Sequence, residues 1–95
     1  MILCIDTKDR DVVRVSLRKD GKVIKSLKEE NKVGSQVLLP LIDKLLQNQT
    51  VTGIEVETGP GSFTGIRVGV SVANALGFSL GIPVNGKKIE TELVY

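Results

Sequence analysis

The sequence predicts an α/β fold, a single mixed sheet with two helices in the order βββαβαβ. Three observations predict it. Val12–Arg18 alternates apolar and polar residues and runs into Asp20-Gly21, a hairpin signal because a tight two-residue turn favours φ > 0 at both positions. Further on, Val37–Leu46 and Ile66–Leu80 carry apolar residues at helical spacing, and each precedes a strand-like run. Three antiparallel strands followed by two helix–strand units close most simply as one mixed sheet.

Taken in order, Met1–Ile5 is continuously apolar, as expected of a strand buried on both faces, and Thr7–Asp11 is a polar turn. In the second strand Val13, Val15 and Leu17 share one face, and Arg14, Ser16 and Arg18 the other. Gly21–Leu27 returns as the third strand, and Glu29–Val33 reads as a polar linker. Ser35 is placed to cap a helix running to about Gln47, with Val37/Leu38, Leu41/Ile42 and Leu45/Leu46 as its apolar stripe. Pro40 lies near its first turn, where a slight bend is expected. After the loop Asn48–Thr52, Gly53–Glu57 forms a short strand with Ile54 and Val56 on one side and Glu55 and Glu57 on the other. Gly59–Gly65 is a glycine-rich turn, Ile66 to about Leu80 a helix, and Gly81–Val84 leads into a last strand.

Composition narrows the function. With 95 residues and 41% apolar content, the chain can bury one core but has no room for two lobes around a deep cleft. Thirteen basic residues against eleven acidic leave a charge of +2, too small for a dedicated nucleic-acid module. There is no histidine, which excludes Ser–His–Asp and Cys–His catalysis and every His-ligated metal site. Cys4, in an apolar run, reads as a small buried hydrophobe, and a single cysteine excludes an intrachain disulfide. The absence of a disulfide framework fits a reducing, cytoplasmic location. The apolar start meets Asp6 without a charged n-region, so no signal peptide is expected. From Thr58 to Gly86 the only charge is Arg67, yet Asn74, Pro83 and four glycines after it argue against a membrane span. Such a segment must be covered by something.

The turn Thr58-Gly59-Pro60-Gly61-Ser62-Phe63-Thr64-Gly65 joins a strand to a helix. Turns of this kind can aim backbone N–H groups at an anion. This one has neither the Walker A lysine nor Rossmann glycine spacing, and Ser62 or Thr64 can simply cap the helix. On the helix that follows, Gly65, Gly69, Ala73, Gly77 and Gly81 form one ridge of small side chains, and Val68, Val72, Leu76 and Leu80 the ridge beside it. Apolar or small residues cover about two thirds of its circumference, more than one sheet needs. The surplus is expected to meet a helix of another chain, or else the first helix of the same domain.

The block Gly59-Pro60-Gly61-Ser62-Phe63-Thr64-Gly65-Ile66-Arg67-Val68-Gly69, the start Ile2-Leu3-Cys4-Ile5-Asp6-Thr7 and Leu39-Pro40-Leu41-Ile42 resemble the TsaB (YeaZ) family of tRNA threonylcarbamoyladenosine biosynthesis proteins. The resemblance runs in register from Met1 to about Gly86. It implies an actin/Hsp70-like lobe of the ribonuclease-H type, with residues 1–95 as the first lobe and the second absent. It also implies a non-catalytic subunit that binds TsaD, homodimerises through a similar surface, and works with TsaE in an ATP-using complex that modifies tRNA. By position, the interface candidates are Gly59, Gly61, Ser62, Phe63, Gly65, Arg67, Gly69, Val72, Ala73, Leu76 and Gly77. Two positions depart from the family pattern: Gly34 stands where a histidine is usual, and Lys8 follows Asp6-Thr7 where serine is commoner.

Two other functions stand beside this one. The chain could bind a nucleotide or anion through Asp6, Thr7 and the Gly59–Gly65 turn. It could instead contact tRNA through Arg14, Arg18 and Lys25, although the alternation splits these between strand faces. Glu55 and Glu57 read either as a wetted sheet face or as a two-carboxylate metal site.

Overall fold

Asp20 and Gly21 adopt φ of 52° and 80°, the left-handed pair that the hairpin requires. They join β2 (Val12–Lys19) to β3 (Lys22–Glu30), and β1 (Ile2–Asp6) lies antiparallel on the other side of β2. The chain continues through α1 (Leu38–Leu46), β4 (Gly53–Val56) and α2 (Phe63–Leu80). The sheet order is β3-β2-β1-β4, with β4 parallel to β1. This is a computed structural model describing residues 1–9, 11–30, 37–61 and 63–87. The expected α/β class and mixed sheet are therefore found.

The boundaries differ in instructive ways. β3 runs on to Glu30, pairing Glu29 with Val13 and Glu30 with Val12, so the expected polar linker is partly strand. The pairing register extends β3 despite its polar sequence. Of the expected last strand, the described residues show one parallel bridge between Ile54 and Val84; the chain then turns at Asn85-Gly86, with Val84 bridging to Lys87, and residues 88–95 lie outside the described residues. Ser35 lies outside the described residues, and α1 begins after Val37 with no side-chain cap. Pro40 is the third residue of α1, where no intrahelical donor is lost, so the reason for a bend disappears.

The core lies on one side of the sheet. Leu3, Ile5, Val15, Leu17 and Ile54 are at most 2% exposed, and Leu38, Leu41, Ile42 and Leu45 of α1 close over them. Helix α1 covers β2 and β3, while α2 covers β1 and β4. Both crossovers step in the same direction across the sheet, β3 to β4 and then β4 to Val84. Right-handed crossovers in one direction put both helices on one face. Among the described residues nothing covers the other face, and there Met1–Ile5 is not buried on both sides: Ile2 and Cys4 are only half-buried. A depression of about 1040 Å3 occupies that face, lined by Cys4, Arg14, Ser16, Arg18, Glu55 and Glu57 among others.

Candidate functional site

The glycine-rich turn is built by close approach to the end of β1. A Cβ on Gly61 would lie 2.8 Å from the Lys8 carbonyl oxygen, and Gly59 holds a φ of 130°. Thr7, just beyond β1, is 3% exposed, and its hydroxyl donates to the Gly65 carbonyl in the first turn of α2 at 2.5 Å. One turn further, a Cβ on Gly69 would collide with the same hydroxyl and sit 3.4 Å from Val56 Cγ2. Ala73 and Gly77 are buried along the same side.

These contacts correct the expected geometry of α2. The small-residue ridge faces the chain's own sheet. Gly69 brings α2 close to Thr7 and Val56, and Ala73 and Gly77 are buried on the same side of the helix. Val72 and Leu76 are half-buried and pack at the margin of the core, as Val68 and Val70 do. The outward side is carried by Arg67, exposed, and by Phe78, 42% exposed, with Leu80 exposed in the last turn. Of the remaining interface candidates, Gly59 is half-buried and Gly61 exposed. Phe63 opens α2, and Ser62 lies outside the described residues. Phe78 is not among the residues that the small-residue and apolar ridges single out. Its signal was being the lone aromatic between Ile66 and Leu80.

The nucleotide candidates are occupied by internal contacts. Thr7 does not present its hydroxyl to a ligand, since Gly65 takes it. The Asp6 carboxylate accepts from the Lys8 backbone N–H at 3.1 Å. The Lys8 ammonium sits between Asp6 and Glu57, at 4.0 and 3.9 Å. Pairs this exposed add little stability, but they balance the cation that the sequence placed beside the turn.

On the open face Arg18 meets Glu55 at 2.6 Å. That hydrogen bond, followed by the nearby Cys4 and the Glu55 charge, raises the Arg18 pKa above the ordinary arginine value. Glu55 and Glu57 are thus each engaged by a cation, and among the described residues no cluster of three metal-ligating side chains occurs. Arg14 pairs with Asp9 at 3.7 Å. Lys25 lies opposite Leu17 on the helix side of the sheet, so the three basic residues are split between faces as the alternation indicated. Cys4 lines the depression rather than the core.

The family model for TsaD, tRNA N6-adenosine threonylcarbamoyltransferase, matches residues 22–86. This chain belongs to that family. Within it, the chain is TsaB/YeaZ-like. It is 40% identical over 92 residues to the tRNA threonylcarbamoyladenosine biosynthesis protein TsaB of Buchnera aphidicola, covering 90% of this chain and 43% of that protein. It is 35% identical over 89 residues to the Bacillus subtilis TsaB, covering 88% of this chain and 39% of that protein. The solved structure of YeaZ from Pseudomonas aeruginosa superposes with a TM-score of 0.75 at 33% identity, over 87% of this chain and 40% of that one. The chain therefore spans about two fifths of the length of these TsaB/YeaZ relatives. In this TsaB/YeaZ-like chain, Asn85 closes the β4 edge. Its side chain accepts from the Val56 N–H at 2.8 Å and donates to the Val56 carbonyl at 3.1 Å. Asn85-Gly86 is a turn dipeptide, and that was the signal available for it.

Proposed function

We propose that this chain is a non-catalytic binding subunit in the synthesis of threonylcarbamoyladenosine in tRNA, and that it docks on TsaD through the outward side of α2. The observation that carries the docking surface is Phe78, 42% exposed on a helix whose small residues are already used internally. Arg67, Ser71, Asn74 and Phe78 follow one another along that side at ~100° per residue. An aromatic and an arginine on a weakly charged surface are the residue types that most often anchor protein interfaces. The half-buried Val68, Val72 and Leu76 supply an apolar margin.

The relatives support the pathway through their names, and the sequence supports a non-catalytic role. It has no histidine for acid–base work. The groups that would face a phosphate, Thr7 and Lys8, are engaged by Gly65, Asp6 and Glu57. ATP turnover and transfer to tRNA then belong to TsaD and TsaE, with this chain positioning TsaD in the cytoplasm. The contrary reading, a nucleotide-binding module, predicts micromolar ATP binding by the isolated chain, and calorimetry is expected to find none.

The direct test is affinity for purified TsaD by calorimetry or interferometry. Phe78→Glu is expected to weaken binding by more than about 100-fold, equivalent to a hot spot of ~3 kcal/mol. Glu55→Gln on the open sheet face should leave it unchanged. Absence of binding by the wild-type chain would sink the proposal, as would full affinity in a folded Phe78→Glu variant.

A further inference from the structure

Asn85 and Gly86 take φ of 49° and 81°. The residues on either side exchange both backbone bonds, Val84 N–H to Lys87 O at 2.8 Å and Lys87 N–H to Val84 O at 3.0 Å. This is a two-residue turn with both central residues left-handed, the conformation for which Asn-Gly is favoured. The same asparagine also holds the β4 edge. Its backbone N–H donates to Ile54 O at 2.8 Å, its Oδ1 accepts from Val56 N–H at 2.8 Å, and its Nδ2 donates to Val56 O at 3.1 Å. Val56 in turn lies against α2 at Gly69. Among the described residues the Gly86 N–H makes no hydrogen bond.

We propose that Asn85 is a site of spontaneous deamidation held in check by its bonds to Val56, and that conversion of its amide to a carboxylate releases the β4 edge. Of the asparagines at 31, 48, 74 and 85, only Asn85 precedes a glycine. Glycine has no side chain to shield its backbone nitrogen. In the reaction the Gly86 nitrogen gives up its proton and attacks Asn85 Cγ. The new N–C bond closes a cyclic imide, the Cγ–Nδ2 bond breaks, and ammonia leaves carrying that proton. Water then opens the imide at either carbonyl, giving aspartate or the isomer whose backbone runs through the side chain. The fold leaves the nucleophile free and clamps the electrophile. Attack makes Cγ tetrahedral and turns the amide off the Val56 backbone, so both Val56 bonds must open first. The rate then follows the population of that opened state. The product cannot close the latch again. Val56 N–H keeps an acceptor, but Val56 O loses its donor and faces a carboxylate. Glu55 and Glu57 already line the same depression as Asn85, so the new charge joins two of its own sign. An acceptor left against an anion costs more than the bond it replaces.

Timed incubation of the chain at mildly alkaline pH, followed by peptide mass spectrometry, reads conversion at Asn85. Native protein should convert at least about tenfold more slowly than chain unfolded in urea, because the latch must open before attack. In urea, Asn48 and Asn74 should lag behind Asn85, and Gly86→Ala should slow the reaction. The converted protein, separated by ion exchange through its added negative charge, should melt lower and exchange its Ile54–Val56 amides faster. Asn85→Gly, which keeps the left-handed turn and removes the amide, should show the same loosening without any chemistry. Equal rates in the native and unfolded states overturn the proposal, as does an unfolded chain in which Asn85 reacts no faster than Asn48. A converted protein that melts and exchanges like the unmodified chain overturns it too.

Discussion

The two helices occupy the same side of one sheet, yet they are held there by different means. Helix α1 is short and sharply two-sided: Leu38, Leu41, Ile42 and Leu45 are buried, while Leu39, Pro40, Asp43 and Lys44 are exposed. Its orientation follows from hydrophobic burial alone. Helix α2 is apolar or small around most of its circumference, so burial does not single out one orientation. Steric fit does. The absence of a side chain at Gly69 lets the backbone lie against Thr7 and Val56, with Ala73 and Gly77 buried further along, and the Thr7 hydroxyl fixes the first turn. A stripe of large residues orients a helix by what it hides, a stripe of small ones by how near it comes.

That comparison can be broken in order of severity. Gly69→Leu should cost about 4 kcal/mol, from overpacking at the upper end of its usual range together with loss of the Thr7–Gly65 bond. Thermal melts should find the chain largely unfolded, and a folded variant would mean that the ridge faces away from the sheet. Leu45→Ala, at a site with no exposure, should cost roughly 3 kcal/mol through a cavity under α1, measured by urea titration. Gly69→Ala sharpens the contrast through its sign. At an open helical position alanine gains roughly 1 kcal/mol over glycine, whereas here the added Cβ meets the Thr7 hydroxyl and stability should fall by about 1 kcal/mol. In a Thr7→Ala background the same change should cost less, with a coupling of about 1 kcal/mol in the double-mutant cycle. Zero coupling would separate the two residues.

Much of the fold was legible because short-range chemistry controlled it. Asp20-Gly21 specified the hairpin, the alternation of Val13, Val15 and Leu17 specified the buried face of β2, and the α1 stripe specified its own orientation. The resemblance carried by Gly59–Gly69 led to the family that residues 22–86 match. The site was less legible. Thr7 stood among the residues suited to a ligand, but its hydroxyl serves a carbonyl 58 positions away, a distance that local pattern cannot span.

The sequence by itself determined which residues are apolar, where the chain turns and which side chains share a face, because these depend on neighbours a few positions apart. Tertiary structure decided which side of α2 meets the sheet, that Ile2 and Cys4 stay half-covered, and that Asn85 finishes one edge while β3 remains the other. Those outcomes turn on strand order and crossover hand. The periodicity of a helix fixes angles between its own residues, and only a packed neighbour gives those angles a zero.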